Sequence, residues 1–438
     1  MSFDVVIVGA GCAGLGAATA LREAGLSSIV LEASHRVGGR AHTDASASFA
    51  NAVFDRGASW LHAAERNPLV PIAQAAGVAL TDSDRHNARR TFVGDRLATD
   101  AERAEFDASC ERFEHVTQAS AAESTDSSVA DAIAPLRTDP WTATVETWEA
   151  AQIAAADPRL LSVQDLHRNQ LVGSNLNVDA GLGHFVQHYL APLAGEIRLG
   201  APVSRITWHR AGGGVAVDTP DGTIVARACI VTVSTGVLAQ GAIGFDPLLP
   251  ADIVDAIQGL PMGLLTKIAL RATDSDHFGL PDYCGLSRRV EEPFAPNISF
   301  LAWPMGCDHI VGFLGGHTAW SFAGQEPRAT DAFAREHLRR LIGAAAERSL
   351  VTAAMTDWGT DPLFLGAYAY ALPGYSTARD KLAEPMADGR LIFAGEAACT
   401  DGLAGTVGGA WNSGQAAAQT VRSALSRRSS TNRLATLP

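Results

Sequence analysis

A strand–glycine turn–helix–strand opening, a later switch from helical to strand patterning, and a length of 438 residues together predict a two-domain fold, α/β plus α+β. One domain is Rossmann-like. The other, of mixed sheet and helices, is interleaved with it, so that each is assembled from separated stretches. Residues 1–70, 196–245 and 366–428 are assigned to the first domain and 71–195 and 246–365 to the second. The polar residues 429–438 are assigned to a flexible tail.

Residues 4–8, DVVIV, are uniformly apolar, as a buried parallel strand requires. The helix LGAATALREAG follows and is closed by Gly25, and SIVLEA is the second strand of a βαβ unit. From about residue 70 to 195 the pattern turns helical. Thr99 and Glu102 form a capping box before a helix in which Phe106, Cys110 and Phe113 keep helical spacing. Trp141–Ala156 reads as an amphipathic helix stopped by Asp157-Pro158. Residues 196–238 read as strands (EIRLG, PVSRITWHR, GVAVDT, TIVARACIVTV) with turns at Gly212–Gly214 and Pro220-Asp221-Gly222. Residues 264–320 are mostly strand-like, and TDAFAREHLRRLIG is a helix capped by Thr330. The closing segment reads as strand, loop, helix, and DPLFLGAYAYALPG (361–374) before it reads as extended, with two tyrosines at alternate positions.

The charge is −13, from 34 basic and 47 acidic residues, which argues against a nucleic-acid partner and mildly favours a cationic ligand. The six cysteines, at 12, 110, 229, 284, 307 and 399, show no CxxC spacing, so neither a metal site nor a redox dithiol is expected. They read as small buried residues of a reducing, cytoplasmic protein. No signal peptide is read at the start, and every apolar run is broken before the ~18 residues a membrane span needs.

The chemistry begins in VVIVGAGCAGLGAA. Gly9-x-Gly11-x-x-Gly14, with Ala13 in the same turn, sits between a strand and a helix. That is the arrangement that brings backbone N–H groups and a helix N-terminus against a pyrophosphate. Glu32 ends the second strand eighteen residues after Gly14, where a carboxylate accepts ribose hydroxyls. The next residues, EASHRVGGRAHT, carry Arg36, Gly38, Gly39 and Arg40. They resemble the RxGGR signature of FAD-dependent oxidoreductases, which implies FAD over NAD, with Arg40 at the pyrophosphate.

GAGCAGLGAA, RVGGRAHT, DRGASWLH, MGLLTKIAL, DPLFLGAYAY and RLIFAGEAACTDGLAGTVGGAWNSG, in this order, resemble the flavin-containing amine oxidases, and among them the polyamine oxidase branch. PVSRI and VTVSTGVL match as well, so the resemblance covers nearly the whole chain. It implies that the first domain binds FAD and the second the substrate, with the flavin at their interface. Glu396 would contact the ribityl–phosphate region and Val203 the adenine, and Gly57, Ser59 and Trp60 of the GASW stretch would lie beside the flavin. Thr406 and Val407 would open the last helix toward the flavin pyrimidine ring. Tyr368 would form one wall of an aromatic cage, with Tyr370 lining the cavity or packing beside it. Thr406 stands where many relatives have the second tyrosine wall, which implies a wider cavity. Ala367 replaces the cysteine of covalently flavinylated relatives, so FAD would be non-covalent. Lys267 would hold a water against flavin N5, and His62 would meet the substrate amine. Trp60 stands where amino-acid oxidases carry a carboxylate-binding arginine.

The implied activity is oxidation of a polyamine or other alkylamine, with O2 as acceptor and hydrogen peroxide as product. Two other readings stay open: a related flavoprotein acting on an amino acid or a secondary-metabolite amine, and a flavin-binding scaffold with little turnover. Asp82, Asp84, Glu291 and Glu292 are expected to be solvated, so no carboxylate is assigned to the far end of the substrate. The physiological amine and the oligomeric state are left open.

Overall fold

The computed structural model describes residues 3–49, 52–86, 88–209, 213–273 and 277–434. Strand β1 (Phe3–Val8) is followed by helix α1 (Cys12–Glu23) and strand β2 (Ser28–Leu31). β1 lies between β2 and the long strand Gly222–Val231, parallel to both. Val5, Val6 and Ile7 are fully buried, which is why the sequence there is apolar at every position. Gly14 lets α1 pass over the glycine turn, since a Cβ there would lie 1.9 Å from the Gly9 carbonyl oxygen.

This eight-stranded sheet is completed by Glu196–Arg198 beside β2, by Val215–Thr219, Arg205–Thr207 and Gly244–Asp246 on the other side, and by Leu391–Phe393 pairing with Cys229–Val231. One face packs on α1 and the closing helix Val407–Leu434 through Leu15, Leu21, Trp411 and Val421. A second, seven-stranded sheet is built from Leu350–Met355, Leu265–Ala272, His309–Gly315, Ser299–Ala302, Cys284–Arg288, Arg89–Val93 and Arg96–Leu97. A helical layer with its own core, Phe113, Val129, Ile133 and Val145, takes in Tyr370.

The capping box is present: Thr99 Oγ1 accepts from Glu102 N–H at 3.2 Å and Glu102 Oε2 accepts from Thr99 N–H at 2.8 Å. Several expectations need correction. Thr330 caps nothing: the helix starts at Pro327, and Thr330 is buried inside it. Within the region read as helical, Arg89–Val93 is a strand parallel to Cys284–Arg288, its basic start masking the pattern. The segment from Trp141 is α-helical over Thr142–Glu146 and then a π-helix over Thr147–Ile153. In the 361–374 run only Tyr368–Ala369 pairs as strand, with Met262–Gly263; the rest is turn, bend and irregular backbone. Of the expected glycine turn, Gly213 and Gly214 have positive φ, while Gly212 lies outside the described residues. Of the tail, residues up to Leu434 continue the closing helix and 435–438 lie outside the described residues.

Candidate active site

A continuous cavity of about 1170 Å³ is lined by residues of both sheets and of the helical layer. Gly9, Gly11, Ala13, Glu32, Arg40 and Val203 border it, and so do Trp60, His62, Lys267 and Tyr368. Gly57, Ser59, Glu396, Thr406 and Val407 also line it, whereas Gly14 does not border it and instead packs on the Gly9 carbonyl.

Glu32 is buried at the end of β2, where its two oxygens accept from Ala10 N–H (2.7 Å) and Ser34 N–H (2.8 Å). A Cβ built at Gly11 would meet no protein atom within 4 Å, so the space beside it belongs to the cavity. Arg40 Nη1 donates to the Ala367 carbonyl at 2.6 Å and to Glu396 Oε1 at 2.8 Å. Glu396 in turn accepts from Ala369 N–H at 3.1 Å. Arg40 and Glu396 therefore clamp the tyrosine segment on both sides of Tyr368, a positioning duty that the sequence did not show.

Lys267 lies on the strand Leu265–Ala272 and is 4% exposed. Its Nζ donates to Asp55 O (3.0 Å), Gly57 O (2.6 Å) and Ser59 Oγ (2.6 Å). These are three acceptors for the three protons of an ammonium. The Trp60 and Phe313 rings lie 5.6 and 5.7 Å away. Burial pushes the ammonium down to about 8, against the pull of the Asp55 carboxylate. A Cβ at Gly57 would lie 1.7 Å from the Arg40 carbonyl oxygen, so only glycine lets this turn reach Lys267. All three Nζ protons are thus donated within the chain. Of its three acceptors, the Ser59 hydroxyl alone can rotate away.

His62 Nδ1 is 2.6 Å from Asn175 Oδ1. The Asn175 Nδ2 amide lies 3.3 Å from each oxygen of Asp84, and the Asn175 N–H donates to Asp84 Oδ2 at 2.8 Å. A carboxylate only accepts, so the amide nitrogen must face Asp84 and the amide oxygen must face His62. Nδ1 therefore carries the proton, and Nε2 keeps a lone pair. Burial lowers the imidazole's pKa despite the Asn175 bond and the Asp84 charge, favouring the neutral ring. Asp84 is exposed, as expected, and its carboxylate is at the same time held by Asn175. Glu291 and Glu292 are exposed, Glu291 pairing with Arg289, and Asp82 is partly buried.

The Tyr368 hydroxyl donates to the Ile153 carbonyl at 2.9 Å, with that of Gln152 at 3.2 Å. These carbonyls close the π-helix Thr147–Ile153, where helical partners run out. Tyr370 also lines the cavity but is buried against the helical layer. Thr406 is the N-cap of the closing helix: its Oγ1 accepts from Gly409 N–H at 3.0 Å and donates to Leu403 O at 2.7 Å. Its hydroxyl proton is thus committed within the chain.

A family model of flavin containing amine oxidoreductases matches residues 12–422. The chain belongs to this family. It is 30% identical to "Polyamine oxidase 3" of Oryza sativa subsp. japonica over 465 residues, covering 96% of this chain and 89% of that one. It is also 30% identical to "Lysine-specific histone demethylase 1 homolog 3" of the same subspecies, covering 94% of this chain but 53% of that one. Among solved structures, putrescine oxidase bound to putrescine superposes with a TM-score of 0.81 at 22% identity, covering 97% and 99% of the two chains. Cyclohexylamine oxidase from Brevibacterium oxydans IH-35A gives 0.79 at 22% identity, covering 97% and 100%. At these identities the structures establish a shared fold.

The protein is an FAD-dependent amine oxidase. The amine oxidase's own residues fit the cofactor. The open space at Gly11, the fixed Glu32 and the cavity's reach to Lys267 suit an extended dinucleotide, and Ala367 offers no thiol for a covalent bond. Among the described residues no cluster of metal-ligating side chains is found. No described helix is long and apolar enough to cross a membrane.

Proposed function

We propose that this amine oxidase acts on a polyamine or another alkylamine, breaking a C–N bond by way of an imine that water hydrolyses. The observation that carries this reading is the His62–Asn175–Asp84 chain opening into a tyrosine-walled cavity. FAD, held along Gly9, Gly11, Glu32 and Arg40, would supply the hydride acceptor for the amine's α-carbon, with O2 as the final electron acceptor and hydrogen peroxide as product. The chain must then bind the amine, strip its proton and exclude water. Nε2 of neutral His62 accepts a hydrogen bond or the proton from the arriving ammonium, with Asp84 stabilising the charge through Asn175. Tyr368 supplies a flat wall whose hydroxyl is tied back, leaving the ring beside the amine. Lys267 holds the Asp55–Ser59 turn in place and donates a hydrogen bond to a water when Ser59 rotates. Thr406 fixes the start of the closing helix, so its N–H groups meet the cofactor.

The division of the chain is part of this reading. Residues 1–70, 196–245 and 366–428 would bind FAD, and 71–195 and 246–365 the substrate. The two large sheets draw their strands from these stretches. The test is anaerobic bleaching of the flavin with spermine, spermidine, acetylated polyamines, benzylamine and L-amino acids. Fastest bleaching by an aliphatic amine supports the proposal. Bleaching by amino acids alone transfers the protein to the amino-acid reading, and no bleaching by any compound leaves a flavin-binding scaffold.

A further inference from the structure

Five acidic side chains line the cavity among the described residues: Glu32, Asp84, Glu149, Asp165 and Glu396. Four are engaged. Glu32 takes two backbone N–H groups, Asp84 takes Asn175, Asp165 takes Arg379, and Glu396 takes Arg40. Among the described residues the Glu149 carboxyl has no hydrogen-bond or ion-pair partner, while its backbone carbonyl accepts from Ala154 N–H at 3.1 Å. Burial, with the Glu114 charge adding to it, pushes its carboxyl up to about 7. An anion is therefore disfavoured there until a cation arrives.

Its position is specific. Glu149 lies in the π-helix Thr147–Ile153, whose last two carbonyls hold the Tyr368 hydroxyl. Glu149 and Ile153 are four positions apart, roughly 6 Å along a helix, so Glu149 stands about one turn from the carbonyls that hold the tyrosine wall. Trp148 and Ile153, which border the same cavity, are 40% and 42% exposed, apolar surface for a methylene chain. Arg89, an exposed cation over the Trp148 ring at 5.8 Å, borders the same region and disfavours a second positive charge at the ring's outer face.

We propose that Glu149 receives the distal ammonium of a di- or polyamine, which makes it a specificity-determining residue of this oxidase. This rests on the amine reading above. The reacting nitrogen lies between His62 and Tyr368, the methylenes run along Trp148 and Ile153, and the far charge ends at Glu149. A monoamine with an alkyl tail brings no charge to the carboxyl and gains nothing from it.

The test uses the FAD-loaded enzyme, wild type and Glu149→Gln, in anaerobic stopped-flow reduction. A linear diamine is compared with the alkylamine of equal length ending in methyl. The expected result is that Glu149→Gln weakens the diamine's apparent Kd tenfold or more. The monoamine's Kd should change less than twofold, and the limiting reduction rate should stay constant for both. Glu149→Lys should reverse the preference toward an amine ending in carboxylate. Equal affinities for the diamine in wild type and Glu149→Gln, or equal losses for both amines, would overturn the assignment while leaving the amine reading intact. A wild type bleached by no amine overturns both.

Discussion

Replacing Lys267 by Met keeps the length of the stem and removes the charge. At pH 7 the stability difference between the two proteins sums opposing terms. The variant loses a buried ammonium, but it leaves the Asp55 and Gly57 carbonyls without their donor. The change in that difference with pH isolates the charge, because all other titrating groups are shared. The folded ammonium sits at about 8 and the unfolded one near its ordinary ~10.4. Between these values the unfolded chain binds more protons, so wild-type stability rises with pH through this window. From pH 7 to pH 9.5 the gain is about 2 kcal/mol. For a chain of 438 residues that is roughly 2 °C in the unfolding midpoint.

Scanning calorimetry of the two apoproteins at both pH values measures it directly. The wild type should move up by about 2 °C relative to Lys267→Met. In the FAD-loaded form, turnover of the variant should fall about tenfold or more, at least ~1.4 kcal/mol of barrier, with flavin content unchanged. A gap in midpoints that stays flat with pH would show that Nζ is hydrated, and the account of Lys267 would fail. An unchanged turnover would remove Lys267 from the reaction whatever the calorimetry gives.

Acid precipitation should leave all the yellow colour in the supernatant, as FAD, because Ala367 provides no thiol; colour in the pellet would contradict this. His62→Ala should raise the apparent KM for amines most at the acid end of the range, where the substrate must shed its proton, with flavin content constant. Wild-type kinetics across the pH range would place His62 outside the reaction. Arg379→Ala should destabilise by ~3–5 kcal/mol, since it strands the buried Asp165 carboxylate, bonded to Arg379 at 2.7 and 2.9 Å. Burial pushes the Asp165 carboxyl up, but Arg379 outweighs it and holds it below the usual range. The pair's contribution is therefore present above the ordinary carboxylate pKa and fades as pH falls through the lowered value, and a denaturation series in acid should show the variant losing less than the wild type.

Whether a feature was legible in the sequence followed from how local its cause is. The strand–turn–helix around Gly9, Gly11 and Gly14 is dictated by backbone sterics within a dozen residues, and it stands where the sequence placed it. The capping box at Thr99 and Glu102 spans four residues and was equally plain. The π-helix at Thr147–Ile153 was not. The seven residues of TWEAAQI make fewer than two turns of either winding, too short a stretch for the spacing of its apolar residues to separate α from π. That missed register matters, since its final carbonyls anchor Tyr368.

Relations across the chain were the least visible. His62, Asn175 and Asp84 lie 113 and 91 positions apart, and nothing in the composition around Asn175 or Asp84 distinguishes them from solvated turn residues. The same applies to Glu149, which reads as the polar face of an amphipathic helix. What sets the chemistry at each of these positions is the partner it has or lacks. A carboxylate can only accept, so Asp84 turns the Asn175 amide, the amide selects the proton on His62 Nδ1, and a lone pair is left on Nε2. Deprived of any donor, Glu149 stays poised near neutrality until a cation binds. On the proposed reading, two similar acidic residues serve opposite ends of one substrate: Asp84 by orienting a base, Glu149 by remaining unpaired.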